Sequence, residues 1–266
     1  FIKRLFKQVS QNLFPIIRHV NLIIFYILSI IKNMQKHHII SYNKQSIQLL
    51  IKKNKLSKNY KLTFDKKNLR GLVSIPNYVS FKSGLEFANE NVKWLYKEIN
   101  KILPIVLIKH NASILIMGKR MKIVFEEDNF NKVYIKNNKI IIVSYKDGHK
   151  KIFKKWIVCQ ILNQSKNYVD IISKSLDLNI KAIKISNSFN YWGSCNSAGI
   201  IHLNWRLIFA PTKILKYIIV HELCHLKEFN HTKNFWMLVK RFCPDYKNQI
   251  LWLKKNDSYL YRIRFD

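Results

Sequence analysis

The sequence predicts an α+β protein, in which a compact core sets one helix beside a small antiparallel sheet and a β-rich module precedes it. Three observations predict this. Between residues 45 and 150, short apolar runs alternate with polar ones, the rhythm of half-buried strands. Past residue 211, Leu215, Ile219, Leu223 and Leu226 recur at helical spacing and form one stripe against a core. Glycine and asparagine punctuate the runs where tight turns are needed. With 266 residues, 48% hydrophobic and 13% aromatic, the chain can bury a substantial core in one or two domains, which excludes a disordered protein.

Taken in order, residues 1–44 carry the least pattern. Lys3, Arg4 and Lys7 precede an apolar run at 22–31. That run falls short of the ~20 residues a membrane span needs, and no small-residue cleavage site follows it. We expect an N-terminal extension, amphipathic or poorly ordered. An amphipathic helix there would give peripheral contact with a membrane or with the protein body; upstream sequence without a folded role and a true anchor stay open. The β-rich module is placed at 45–150, packing on the core and shaping its cleft. Its strands fall at 60–64, 72–75, 105–108, 114–117, 122–125, 133–135 and 140–145, with turns at Gly118, Asn137-Asn138 and Asp147-Gly148. One helix at 82–102 interrupts them, with Phe87, Val92, Trp94, Leu95 and Ile99 as its apolar residues.

The core itself is placed at 151–266. A helix at 153–178 carries Ile157, Ile161, Tyr168, Ile172 and Leu176. A strand at 182–186, a turn-rich segment at 187–197 and a second strand at 200–208 lead to a helix that Pro211 can open. Thr232 is the expected N-cap of a further helix, which buries Phe235, Trp236, Val239 and Phe242 and ends at Cys243-Pro244.

The chemistry concentrates on the Pro211 helix. His221-Glu222-Leu223-Cys224-His225 sets two histidines four residues apart, hence on one side of a helix. That spacing lets two imidazoles bind one divalent metal. Glu222 sits about 100° round from His221, able to reach a water on that metal but turned too far to be its natural third ligand. An HExxH helix therefore reads as a zinc site with its own general base. His231 follows His221 by ten residues, the offset of the third histidine in the HExxHxxGxxH pattern. Where that pattern has glycine to turn the chain, this sequence has Glu228, which could compete as third ligand; Asn230 could make the turn in the left-handed conformation. A third ligand from a separate segment closes a tetrahedron more readily, which favours His231. Tyr217 and Arg206 are candidates to stabilise an oxyanion, or structural residues. His202 is a surface histidine or a substrate contact. Cys224 is small packing.

The net charge of +32 suggests a polyanionic partner, but 47 basic residues include only 8 arginines, and they are scattered. Arginine is the better bidentate phosphate ligand, so the pattern reads as compositional drift and argues against nucleic acid. Cys159, Cys195, Cys224 and Cys243 show no CxxC spacing and are expected to be reduced thiols in a cytoplasmic protein.

Trp192-Gly193-Ser194-Cys195, Gly199, Leu203-Asn204-Trp205-Arg206-Leu207, Ala210-Pro211, Tyr217, Val220 through Leu226, Asn230-His231 and Phe235-Trp236 together resemble the YgjP-like metallopeptidase domain, related to SprT-type and WLM zinc-peptidase-like proteins. The likeness runs in order from about 60 to 255 and is most specific from Trp192 to Trp236. Tyr191 departs from it, since the family usually has arginine there. The resemblance implies a compact, zincin-like zinc-peptidase core, one zinc held by His221, His225 and His231, and Glu222 as catalytic base. Peptide or protein is then the expected substrate. The motif supplies a reactive water and does not name the bond, so a metal-dependent hydrolase of an anionic substrate, such as a nucleotide phosphoanhydride, is the alternative. A module keeping the metal only as a staple is a third reading, which the intact Glu222 argues against.

Overall fold

The computed structural model describes residues 34–265. They form a mixed α and β architecture with six α-helices and several small sheets. The described residues divide into two compact units, one ending at Lys101 and the other beginning at Ile102.

In the first unit, β1 (Gln35–Tyr42) and β2 (Gln45–Asn54) make an antiparallel hairpin. Asn43 and Lys44 turn it with φ of 48° and 62°, the two left-handed residues a tight I′ turn requires. The expected 1–44 extension therefore ends too late, because 35–42 is a paired strand. The apolar run at 22–31, on which a membrane contact rested, lies outside the described residues. β4 (Arg70–Pro76) runs parallel to β2, and β3 (Lys61–Asp65) pairs antiparallel with β4, giving the order β1-β2-β4-β3. The expected helix at 82–102 is two helices, α1 (Phe81–Glu90) and α2 (Val92–Ile102). Asn91 separates them by leaving helical geometry, and its side-chain amide donates to the Phe87 carbonyl at 2.8 Å.

The second unit opens with β5 (Val106–Leu107). A four-stranded sheet follows: β6 (Ser113–Ile116), β7 (Lys119–Glu127), β8 (Lys132–Lys136) and β9 (Lys139–Ser144), in the order β6-β7-β9-β8. Its connectivity repeats that of the first sheet, two antiparallel hairpins joined through a central parallel pair. Helix α3 (His149–Ser175) buries Phe153, Ile157, Ile161, Val169 and Ile172 in one core with Ile114, Ile116, Ile123, Ile140 and Ile142 of the strands. The change of pattern near residue 150 is thus a passage from sheet to helix inside one core.

A mixed three-stranded sheet lies next. β12 (Ile200–Asn204) is central, parallel to β10 (Ala182–Ser186) and antiparallel to β11 (Gly193–Cys195). The strand expected at 200–208 stops at Asn204, where the Asn204 side chain accepts from the Arg206 amide and caps a 3-10 turn, Trp205–Phe209. Helices α4 (Thr212–Cys224), α5 (Lys233–Phe242) and α6 (Tyr246–Arg262) follow, and β13 (Ile263–Arg264) returns to pair with β5. No helix among the described residues is long and apolar enough to cross a membrane.

Helix α4 is buried on nearly every side. Ile214, Tyr217, Ile218 and Val220 join the expected Leu215, Ile219 and Leu223 in the core, the mark of a helix enclosed by its neighbours. Its start is held by the tip of the β6–β7 hairpin. The Met117 amide donates to the Ile208 carbonyl at 2.7 Å, and a Cβ on Gly118 would stand 3.3 Å from Pro211 Cα. Gly118 also has a φ of +80°. Gly118→Val is therefore expected to lower stability by about 1–3 kcal/mol, read as a reduced urea midpoint at unchanged m-value.

Candidate metal centre

His221 lies in the last turn of α4, and His225 is the residue on which the helix stops. The chain then turns back. The Lys227 and Glu228 amides donate to the Cys224 carbonyl, and none of residues 225–231 has a positive φ. That is why neither a glycine at position 228 nor a left-handed Asn230 is needed. His231 follows, just before Thr232, whose hydroxyl caps α5.

The three rings meet. Nε2 of His221 is 3.2 Å from Nε2 of His225 and 3.2 Å from Nε2 of His231. Two nitrogens each about 2.0–2.1 Å from one tetrahedral ion stand about 3.3 Å apart, so the spacing suits a single zinc-sized cation. Among the described residues, no other three His, Cys, Asp or Glu side chains converge in this way. The Glu228 side chain is not in the group; its backbone carbonyl instead lies 3.2 Å from Nδ1 of His225. The Tyr217 hydroxyl lies 3.4 Å from Nδ1 of His221. With each Nδ1–H given to these oxygens, both Nε2 lone pairs face inward.

Burial also favours the uncharged form of the two helix histidines. His221 is lowered to about 4, first by desolvation and then by His225 and His231. His225 is lowered by desolvation as well. Phe235, fully buried on α5, forms a common floor, its ring centre 5.1, 4.5 and 4.8 Å from those of His221, His225 and His231. Trp236 stacks on His231, and Tyr246 stacks on Trp236. The sequence marked Phe235 only as core; its floor role depends on where the two later histidines fold.

Glu222 is 8% exposed and raised to about 7 by desolvation, while a cation in the cluster would draw it back down. It opens, with His221, onto a cavity of about 600 Å³. Gly193 on β11 makes that placement feasible, because a Cβ there would stand 2.8 Å from Glu222 Oε1 and 2.6 Å from Ile218 Cγ2.

Other expectations separate. Arg206 is 2% exposed and does not line the cavity. Its guanidinium stacks on Phe189 and Trp205, and it donates to the Asn187 side chain at 2.8 Å. Asn204 donates to the Ser188 and Tyr191 carbonyls. Residues 204–206 thus clamp the 187–192 loop that delivers Gly193, and the oxyanion role considered for Arg206 is replaced by a supporting one. His202 sits on the central strand and does not line the cavity. Cys224 is fully buried packing, as expected, and burial pushes its thiol up to about 12. Among the described residues of the second unit none before Tyr191 lines the cavity, so the 102–150 part of the expected module does not shape it.

A family model described as the YgjP-like metallopeptidase domain matches residues 58–256. The chain belongs to this family. Membership brings a hydrolase fold family, a divalent metal and a peptide or protein substrate. No curated protein matches the chain. Among solved structures, the metallopeptidase zymogen of Pyrococcus abyssi abylysin is similar over 34% of this chain and 93% of its own, with 19% identity and a TM-score of 0.29. The corresponding zymogen of Methanocaldococcus jannaschii jannalysin is similar over 34% of this chain and 88% of its own, with 24% identity and a TM-score of 0.29.

For a YgjP-like peptidase built this way, Gly193→Ala is expected to displace Glu222 while leaving the histidines alone. Metal content should hold and kcat should fall roughly 10- to 100-fold. An unchanged kcat would show that the Glu222 side chain accommodates the methyl group.

Proposed function

We propose that the protein is a zinc-dependent peptidase with a zincin-like centre, in which His221, His225 and His231 hold one zinc ion and Glu222 is the general base. The observation that carries this reading is the 3.2 Å approach of Nε2 of His221 to both partners, beside a carboxyl group that opens on the same cavity as His221. A neutral triad leaves a bound zinc its full positive charge, which polarises a substrate carbonyl and acidifies a water. Glu222 then takes a proton from the attacking water and returns it to the leaving amine nitrogen. Its place on the cavity wall suits a group that must both accept and give a proton.

The substrate backbone has an edge to meet. β12 is central and already paired on both sides. β11 is the edge. The Trp192 carbonyl accepts from Asn204, and the Asn196 amide donates to Ile200. By strand alternation, Gly193 and Cys195 turn their backbone groups toward the unpaired side. An extended peptide adding there passes beside Glu222, bound through main-chain hydrogen bonds that ignore side-chain identity. The nucleotide alternative finds less support. Lys254 is the one lysine on the cavity wall, and Glu222 and Asp257 oppose a polyphosphate.

Glu222→Gln is expected to keep one zinc per chain by metal analysis and to lose peptide turnover roughly 10²- to 10⁴-fold. His231→Ala is expected to lose the metal on dialysis against a weak chelator. Cleavage of a casein-derived peptide pool and release of phosphate from nucleoside triphosphates are measured side by side. Phosphate release without peptide cleavage, abolished by Glu222→Gln, would replace the peptidase reading with the nucleotide one.

A further inference from the structure

The cavity beside Glu222 has walls that the zinc site does not need. On one side, α6 presents Ile250, Leu253, Lys254 and Asp257, spaced i, i+3, i+4 and i+7 along a single face. On the other, Trp192 and Gly193 come from the β11 segment, and Tyr217 and Ile218 from α4. Its volume of about 600 Å³ lies within the roughly 300–1,000 Å³ of small-ligand pockets. Trp192 is fixed as a wall, because it stacks on Tyr261 at 4.5 Å, and Tyr261 stacks in turn on Phe189. Leu253 is 9% exposed and Ile250 packs against the core, so the wall is backed by close packing.

The cavity is an open cleft whose walls include Trp192, Ile218, Ile250 and Leu253, and such apolar side chains favour an apolar guest. Lys254 and Asp257 carry opposite charges, so the α6 wall of the cavity has no net charge to attract an ionic side chain. The free edge of β11 runs past the same place, so a peptide lying on that edge directs alternate side chains toward or away from the cavity.

We propose that this cavity is the specificity pocket, and that it takes a large uncharged apolar side chain, of leucine, methionine or phenylalanine, from the residue next to the cleaved bond. Ile250 and Leu253 set that preference. The proposal rests on the peptidase reading for its substrate, while the pocket itself can be probed without turnover.

The test uses the full chain loaded with zinc. Cleavage sites in a peptide library are mapped by mass spectrometry, and binding of N-acetyl-leucinamide and N-acetyl-glycinamide is followed through tryptophan fluorescence. The expected result is enrichment of Leu, Met or Phe at one position flanking the cut. The kcat/KM for leucine over glycine at that position should be at least about 100-fold, with saturable binding of the leucine probe alone. Ile250→Arg should collapse the ratio to within about tenfold and abolish leucine-probe binding, with zinc content and the urea midpoint as checks on folding. Ile250→Ala, which only enlarges the pocket, should shift the preference from leucine toward phenylalanine. Cleavage without preference at the flanking positions, or a preference unmoved by both variants, overturns the pocket. Leucine-probe binding that Ile250→Arg removes, in a chain that cleaves no peptide, keeps the pocket and overturns the peptidase reading. Neither cleavage nor binding overturns both.

Discussion

Three imidazole nitrogens crowded to 3.2 Å around His221 are the constraint on which the rest of the molecule turns. In the tautomer that gives the Nδ1 protons of His221 and His225 to Tyr217 and the Glu228 carbonyl, the inward lone pairs of those two rings repel one another. A cation between them would convert that repulsion into coordination. The cost of gathering them is met by apolar packing, since Phe235 lies under all three rings and is itself fully buried. The architecture around the site serves to keep those rings in place.

That service begins with a helix enclosed on nearly every face. Because α4 is gripped by α3, by the 3-10 turn before it and by the β6–β7 hairpin, its last turn has little freedom to reorient. The Glu222 side is set by a different device. Asn204, Trp205 and Arg206 draw the 187–192 loop inward through Asn187, Ser188 and Tyr191, and this brings the one residue without a side chain against the carboxyl group. Arg206 is lowered to about 10 by burial and by Arg264, a cost borne by a residue that touches no part of the cavity.

Much of the centre could be read from spacing alone, because HExxH places two rings by helix geometry and needs no tertiary knowledge. The third ring is legible for the same reason, its ten-residue offset from the first. Local turn chemistry also came through at Gly118 and Asn137-Asn138, where positive φ selects the residue type. What stayed hidden depends on long-range packing. The β1–β2 hairpin turns on Asn43-Lys44, and lysine is not a turn signal. β11 is three residues long, too short for any periodicity to appear. Asn91 divides a helix whose apolar spacing runs on through it. Helix α6 is rich in lysine and asparagine, and its contribution to the cavity, Ile250 and Leu253, is visible only once it folds back beside Trp192.

The ten-residue separation of the first and last histidine has a consequence beyond chemistry. An ion held by all three would tie the end of α4 to the start of α5 and would bind the folded chain in preference to the unfolded one. By mass action, the folded population then rises with the free concentration of that ion. A chain so tied would owe part of its resistance to unfolding, and hence to proteolysis, to the supply of that ion.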